Sequence, residues 1–159
     1  MSSGRLAVAL LAGLLTSRAH AGLLDSPPPT FPSGAGKVVY RMGPLQYDPG
    51  WADTIVTCTN LSDAPAGVSM EVFDHADVRT AQATASLAPG AEVSFVTSAE
   101  AGVAQATVLS GLSAVDDAKA RVSATTAKLN CGGRHRVVAA DGTVKEMPLE
   151  LLKKVARDE

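Results

Sequence analysis

Once the leader described below is removed, two histidines, His75 and His135, are the candidate general bases of this chain. A hydrolytic triad needs such a base converging with a nucleophile and an orienting acid. The sequence has no Gly-x-Ser-x-Gly elbow and no glycine-rich phosphate loop opening a helix. Of its two cysteines, Cys58 and Cys131, Cys58 could act as a nucleophile only if unpaired and electropositively surrounded. Cys58 sits in mid-strand near Val56, where a buried, inert sulfur is expected. These residues predict no enzyme and no cofactor.

Asp74, His75 and Asp77 place two carboxylates and an imidazole on one turn, part of what a divalent ion would need. Aspartate also bonds its own backbone in turns, and the turn-forming role is the preferred one, so no metal site is expected. Asp116-Asp117 reads as a solvated loop or cap. Arg134-His135-Arg136 could hold an anionic partner such as a carboxylate, or guard a hairpin edge by charge. Asn60-Leu-Ser62 has the form of a glycosylation sequon and reads as a turn. Tyr47 and Trp51, flanking Asp48-Pro49-Gly50, are either an exposed contact pair or lids on the end of a core.

The elements that must position these groups belong to one small domain, because 159 residues have room for one and not two. Apolar residues make up 46% and aromatic residues 4%, with about one residue in six an alanine, so the core is built from small aliphatic side chains. A net charge of −2 removes the broad basic surface needed to bind nucleic acid. Residues 1–21 have the parts of a secretory signal: Arg5, the apolar run over residues 6–15, and the small-residue exit Ala19-His20-Ala21. Ten apolar residues span about half of what a bilayer-crossing helix requires. The expected mature chain is secreted or periplasmic, without a transmembrane segment, and carries twelve basic and sixteen acidic residues.

In an oxidising compartment, an even cysteine count argues for a Cys58–Cys131 disulfide. Closing a loop of 73 residues would contribute on the order of 4 kcal/mol. Residues 22–36, with four prolines and three glycines, read as a disordered spacer. Residues 37–132 then alternate as short β-prone runs between turns. In residues 54–60, Val56 and Cys58 share a face; in residues 68–73, Val68, Met70 and Val72 share one; and the runs around Val93 and Phe95 and around Ala120, Val122 and Ala124 repeat the pattern. Gly43-Pro44 reads as the end of the first strand. Residues 133–159 read as a hairpin reversing at Asp141-Gly142, then a short C-terminal helix starting at Pro148 with Leu149, Leu152 and Ala156 on one stripe.

The run Thr54-Ile-Val-Thr-Cys-Thr-Asn60-Leu-Ser62, the strand Val68-Ser-Met-Glu-Val-Phe-Asp74, the Pro89-Gly90 turn before Val93-Ser-Phe95, and Ala120-Arg-Val-Ser-Ala124 resemble bacterial exported domains of immunoglobulin-like sandwich type. The resemblance covers residues 54–129 and implies fold and export, but no activity. Where such domains have glycine after the strand-ending aspartate, this chain has His75-Ala76-Asp77. The expectation is an all-β antiparallel immunoglobulin-like sandwich with a short C-terminal helix, acting as a non-enzymatic interaction or structural module on an unidentified envelope or extracellular partner. The alternative is a protein that binds a metal ion or small ligand at the Asp74–Asp77 turn or near His135.

Overall fold

The structure, a computed structural model, describes residues 26–149 and 153–155. The leader lies outside the described residues. From residue 30 the chain runs through β1 (Thr30–Phe31), β2 (Gly34–Ala35), β3 (Lys37–Tyr47), β4 (Ala52–Asn60), β5 (Ala66–Phe73), β6 (Arg79–Leu87), β7 (Glu92–Val96), β8 (Thr107–Val108), β9 (Val115–Ala124), β10 (Leu129–Val138), β11 (Val144–Pro148) and β12 (Lys153–Lys154). One layer has the order β12-β3-β9-β5-β6 and the other β11-β10-β4-β7-β8. All neighbours are antiparallel except β7 and β8, which run parallel. The fold is therefore an all-β, two-layer sandwich, with a small β1–β2 hairpin outside the layers.

The alternation read from sequence sets the faces. Val56 and Cys58 of β4 and Phe95 of β7 point into the interlayer core, against Met70 and Val72 of β5 and Ala120 and Val122 of β9. Small side chains recur across this core, at Ala81, Ala83, Ala118, Ala120 and Ala124, and so let the two layers approach closely. On the other side of the second layer, Ile55 and Val96 are covered by a 3-10 turn at Ala99–Ala101, whose Ser98 cap accepts from the Glu100 amide.

Three expectations are corrected. Among the described residues no helix follows Pro148: Pro148 ends β11, the Leu149 amide donates to Gly133 O at 2.9 Å, and Lys153–Lys154 pairs with β3. Leu149 instead enters the core, because Gly133 has no Cβ; one there would lie 2.7 Å from Leu149 Cδ2 and 3.0 Å from its Cβ. Leu152 and Ala156, the other residues of the expected stripe, lie outside the described residues. The described part of the proline-rich spacer is ordered: Phe31 is buried over Gly67, where a Cβ would meet the ring at 2.6 Å. Gly43-Pro44 does not end the first strand, since β3 shifts register there and continues to Tyr47.

That ordering has a chemical cause on the outer face of the first layer. Glu71 of β5 and Arg121 of β9 are register partners, both buried, with Nε donating to Oε2 at 2.7 Å. The Arg121 guanidinium also donates to the carbonyls of Ser26 at 2.7 Å and Pro27 at 3.1 Å, and stands 5.1 Å from the centroid of the Phe73 ring. A buried cation needs several acceptors, and the N-terminal segment supplies two of them as backbone carbonyls.

Candidate binding cleft at His135

The strand parity that buries Cys131 also turns Gly133 and His135 of β10 toward the facing layer. His135 is the register partner of Thr54 on one side and of Met147 on the other. Here β3 passes over to β4, and a cleft of about 420 Å³ opens between the layers, lined by Gly43, Pro44 and Gln46 of β3, by His135, and by Met147, Pro148 and Leu149. Its size falls in the range that takes a small molecule or one large side chain. Its walls are mainly apolar, with His135 and Gln46 as the polar groups.

Thr54, fully buried on the inner face, organises that polarity. Its amide donates to Thr97 Oγ1 at 2.9 Å. Its hydroxyl donates to Gln46 O at 2.9 Å and accepts the Gln46 amide at 3.1 Å, tying the layers together. The hydroxyl has one proton, and the shorter contact, to a carbonyl that can only accept, assigns it to Gln46 O. Its contact with His135 Nδ1 at 3.1 Å therefore has the imidazole as donor. The neutral ring then keeps Nε2 as its acceptor. Partial burial pushes the His135 pKa below its ordinary value, so the ring is neutral at physiological pH.

The flanking arginines are engaged in ion pairs. Arg136 pairs with the buried Asp53 at 2.8 Å, and Arg134 with exposed Glu146 at 3.2 Å. The cluster considered either as an anion site or as a charged guard of the hairpin edge is thus a pair of neutralised arginines around a neutral histidine. Cys58 and Cys131 form a disulfide, but they are register partners on adjacent strands, 4.1 Å apart at Cα, and so crosslink one layer. In immunoglobulin domains the bridge spans the two layers.

At the Asp74–Asp77 turn, Asp74 Oδ1 accepts the amides of Ala76 and Val78, each at 2.9 Å. Asp77 takes the left-handed position at φ 59°, where glycine is absent, and pairs with Lys119 at 3.2 Å across exposed surface. Asp74, His75 and Asp116 line a hollow of about 160 Å³. Among the described residues, no group of three His, Cys, Asp or Glu side chains is placed to hold a metal ion. Asn60 is buried, with its amide nitrogen donating to Ala64 O, Leu87 O and Ala88 O, so the sequon is a structural turn. Trp51 is half exposed and does not cap the core.

Thr54, Gln46, Pro44, Met147 and Leu149 were not legible as site residues. One signal was available: parity with Val56 and Cys58 puts Thr54 on the core face, and a polar residue there calls for a buried partner. Among the described residues no helix is long and apolar enough to cross a membrane. Compared with known protein families, with curated proteins and with solved structures, the chain finds no match, so its immunoglobulin-like resemblance has no relative behind it.

Proposed function

We propose that the protein is a non-enzymatic, exported binding module of the bacterial envelope, immunoglobulin-like in kind. Its interlayer cleft receives an uncharged aromatic group that carries one hydrogen-bond donor, such as a phenol or an indole. The observation that carries this reading is the contact of His135 Nδ1 with Thr54 Oγ1 at the edge of a cleft walled by Pro44, Met147, Pro148 and Leu149: with the Thr54 proton given to Gln46 O, Nδ1 is the donor and Nε2 the acceptor. An apolar body with a single donor matches such a wall, and methionine adapts its shape to aromatic edges. The same polarity argues against catalysis, because the Thr54 hydroxyl proton goes to a backbone carbonyl and the imidazole cannot activate it. Export is supported by the disulfide, which an oxidising compartment maintains.

The test is a titration of the disulfide-intact protein with p-cresol and with toluene, followed by the ring resonances of His135. Saturable shifts with p-cresol are expected, with toluene weaker by roughly 2- to 10-fold for the missing hydrogen bond. Unmoved His135 resonances at millimolar p-cresol would overturn the reading.

A further inference from the structure

The four outer strands of the two layers are not equally protected. β11 carries Lys145, Glu146 and Pro148, β12 consists of Lys153 and Lys154, and β8 has two residues. Charge, proline and shortness are the usual guards against edge-to-edge pairing. β6 has none of them beyond its first residue. It is nine residues long, its last eight, Thr80-Ala-Gln-Ala-Thr-Ala-Ser-Leu87, are uncharged and free of proline, and among the described residues it has β5 as its single neighbour in the layer.

Its sequence is also nearly symmetric about Ala83. Turned antiparallel on itself, the strand sets Ala81 against Ala85 and Gln82 against Thr84. Ala81 and Ala83 are core-facing and buried, whereas Thr84 is exposed and Gln82 half-buried on the outer face. An isologous pairing would therefore continue both faces of the layer, alanine beside alanine within and polar beside polar without. The loop at Gly111 comes close to Thr80 O, so the free stretch is residues 81–85. Across the interlayer gap from β6 lies β8, whose Val108 is 41% exposed and adds apolar surface on the same side.

We infer that β6 is a homodimerisation edge: two copies of this chain pair antiparallel through residues 81–85 about a dyad at Ala83, joining their first layers into one ten-stranded sheet. Backbone hydrogen bonds supply the affinity and the self-complementary pattern supplies the register. The pairing is independent of the His135 cleft.

Sedimentation equilibrium of the disulfide-intact chain, from micromolar to millimolar concentration, tests this. The wild-type mass should rise to twice that of the chain. In the Gln82→Lys/Thr84→Lys variant each lysine would face a lysine of the other copy, and like charges directly opposite destabilise a pair. This variant should stay monomeric throughout. Gln82→Lys/Thr84→Glu sets lysine against glutamate twice and should dimerise at least as tightly as wild type, less so in high salt. Both variants lose the same Gln82–Ser69 contact, so matching urea midpoints establish that folding is not the difference. A wild-type chain monomeric at millimolar concentration, or two variants that associate alike, would overturn the inference.

Discussion

The hydroxyl of Tyr40 and the amide of Cys131 join the two layers where, among the described residues, β10 lacks an outer strand. β11 pairs with residues 134–138 of β10, which leaves the outer side of Leu129 and Cys131 open. Tyr40, rising from β3, accepts the Cys131 amide at 3.3 Å and donates to Leu129 O at 3.0 Å. All three residues are buried. Tyr40→Phe keeps the ring and removes both bonds, stranding a buried donor and a buried acceptor. The expected cost is about 1–3 kcal/mol, read as a lower urea midpoint with an unchanged slope. An unchanged midpoint would mean that the contact contributes nothing.

Because the disulfide links neighbours within one layer, its removal should weaken the fold without separating the layers. The Cys58→Ala/Cys131→Ala variant loses a constraint worth about 4 kcal/mol in the chain-entropy model, against the 5–15 kcal/mol typical of a domain. The far-UV circular dichroism should stay that of the wild type, while the urea midpoint falls. Loss of the β signal at low temperature would show that the alanine-rich core cannot hold the sandwich alone.

Glu71 and Arg121 behave differently when one is removed or both. Glu71→Ala leaves Arg121 as an uncompensated buried cation and should cost roughly 3–5 kcal/mol. Arg79, the second partner of Glu71, is half exposed and turns to water. Glu71→Leu/Arg121→Met removes both charges and should cost much less than the sum of the single changes, which a double-mutant cycle measures. Arg121→Met also removes the guanidinium's hydrogen bonds to the carbonyls of Ser26 and Pro27. Limited proteolysis should then cut within residues 26–36 faster than in wild type.

The parts of this fold that sequence discloses are those governed by local alternation. The faces of residues 54–60, 68–73 and 119–124 follow from period two, and the cysteine pair follows from count and compartment. What escapes is decided by contacts distant in the chain. Leu149 is in the core rather than on a helix because Gly133 leaves space for it. The described part of the spacer is ordered because Arg121, about 95 residues later, needs its carbonyls. Composition describes a segment's own preferences, and here tertiary partners override them. The cleft was half visible: His135 stood out as a titratable group, but its orientation depends on Thr54 and Gln46, which local pattern does not single out as site residues.

His135 should make both stability and ligand binding depend on pH. Its folded pKa lies below the ordinary 6.5 because burial disfavours the charged ring. Between those two values the unfolded chain holds a proton that the folded chain has released, so stability rises with pH through that window. The full contribution is present above the ordinary value and is lost as pH falls toward the folded one. Protonation also converts Nε2 from acceptor to donor, so p-cresol affinity should fall over the same window. His135→Gln removes the titration. Urea midpoints measured at about pH 7.5 and about pH 5.5 should therefore differ less in this variant than in wild type, since the carboxylates common to both contribute equally. If the two proteins lose stability in parallel on acidification, the imidazole is not the group responsible, and burial of its ring does not set the pH dependence.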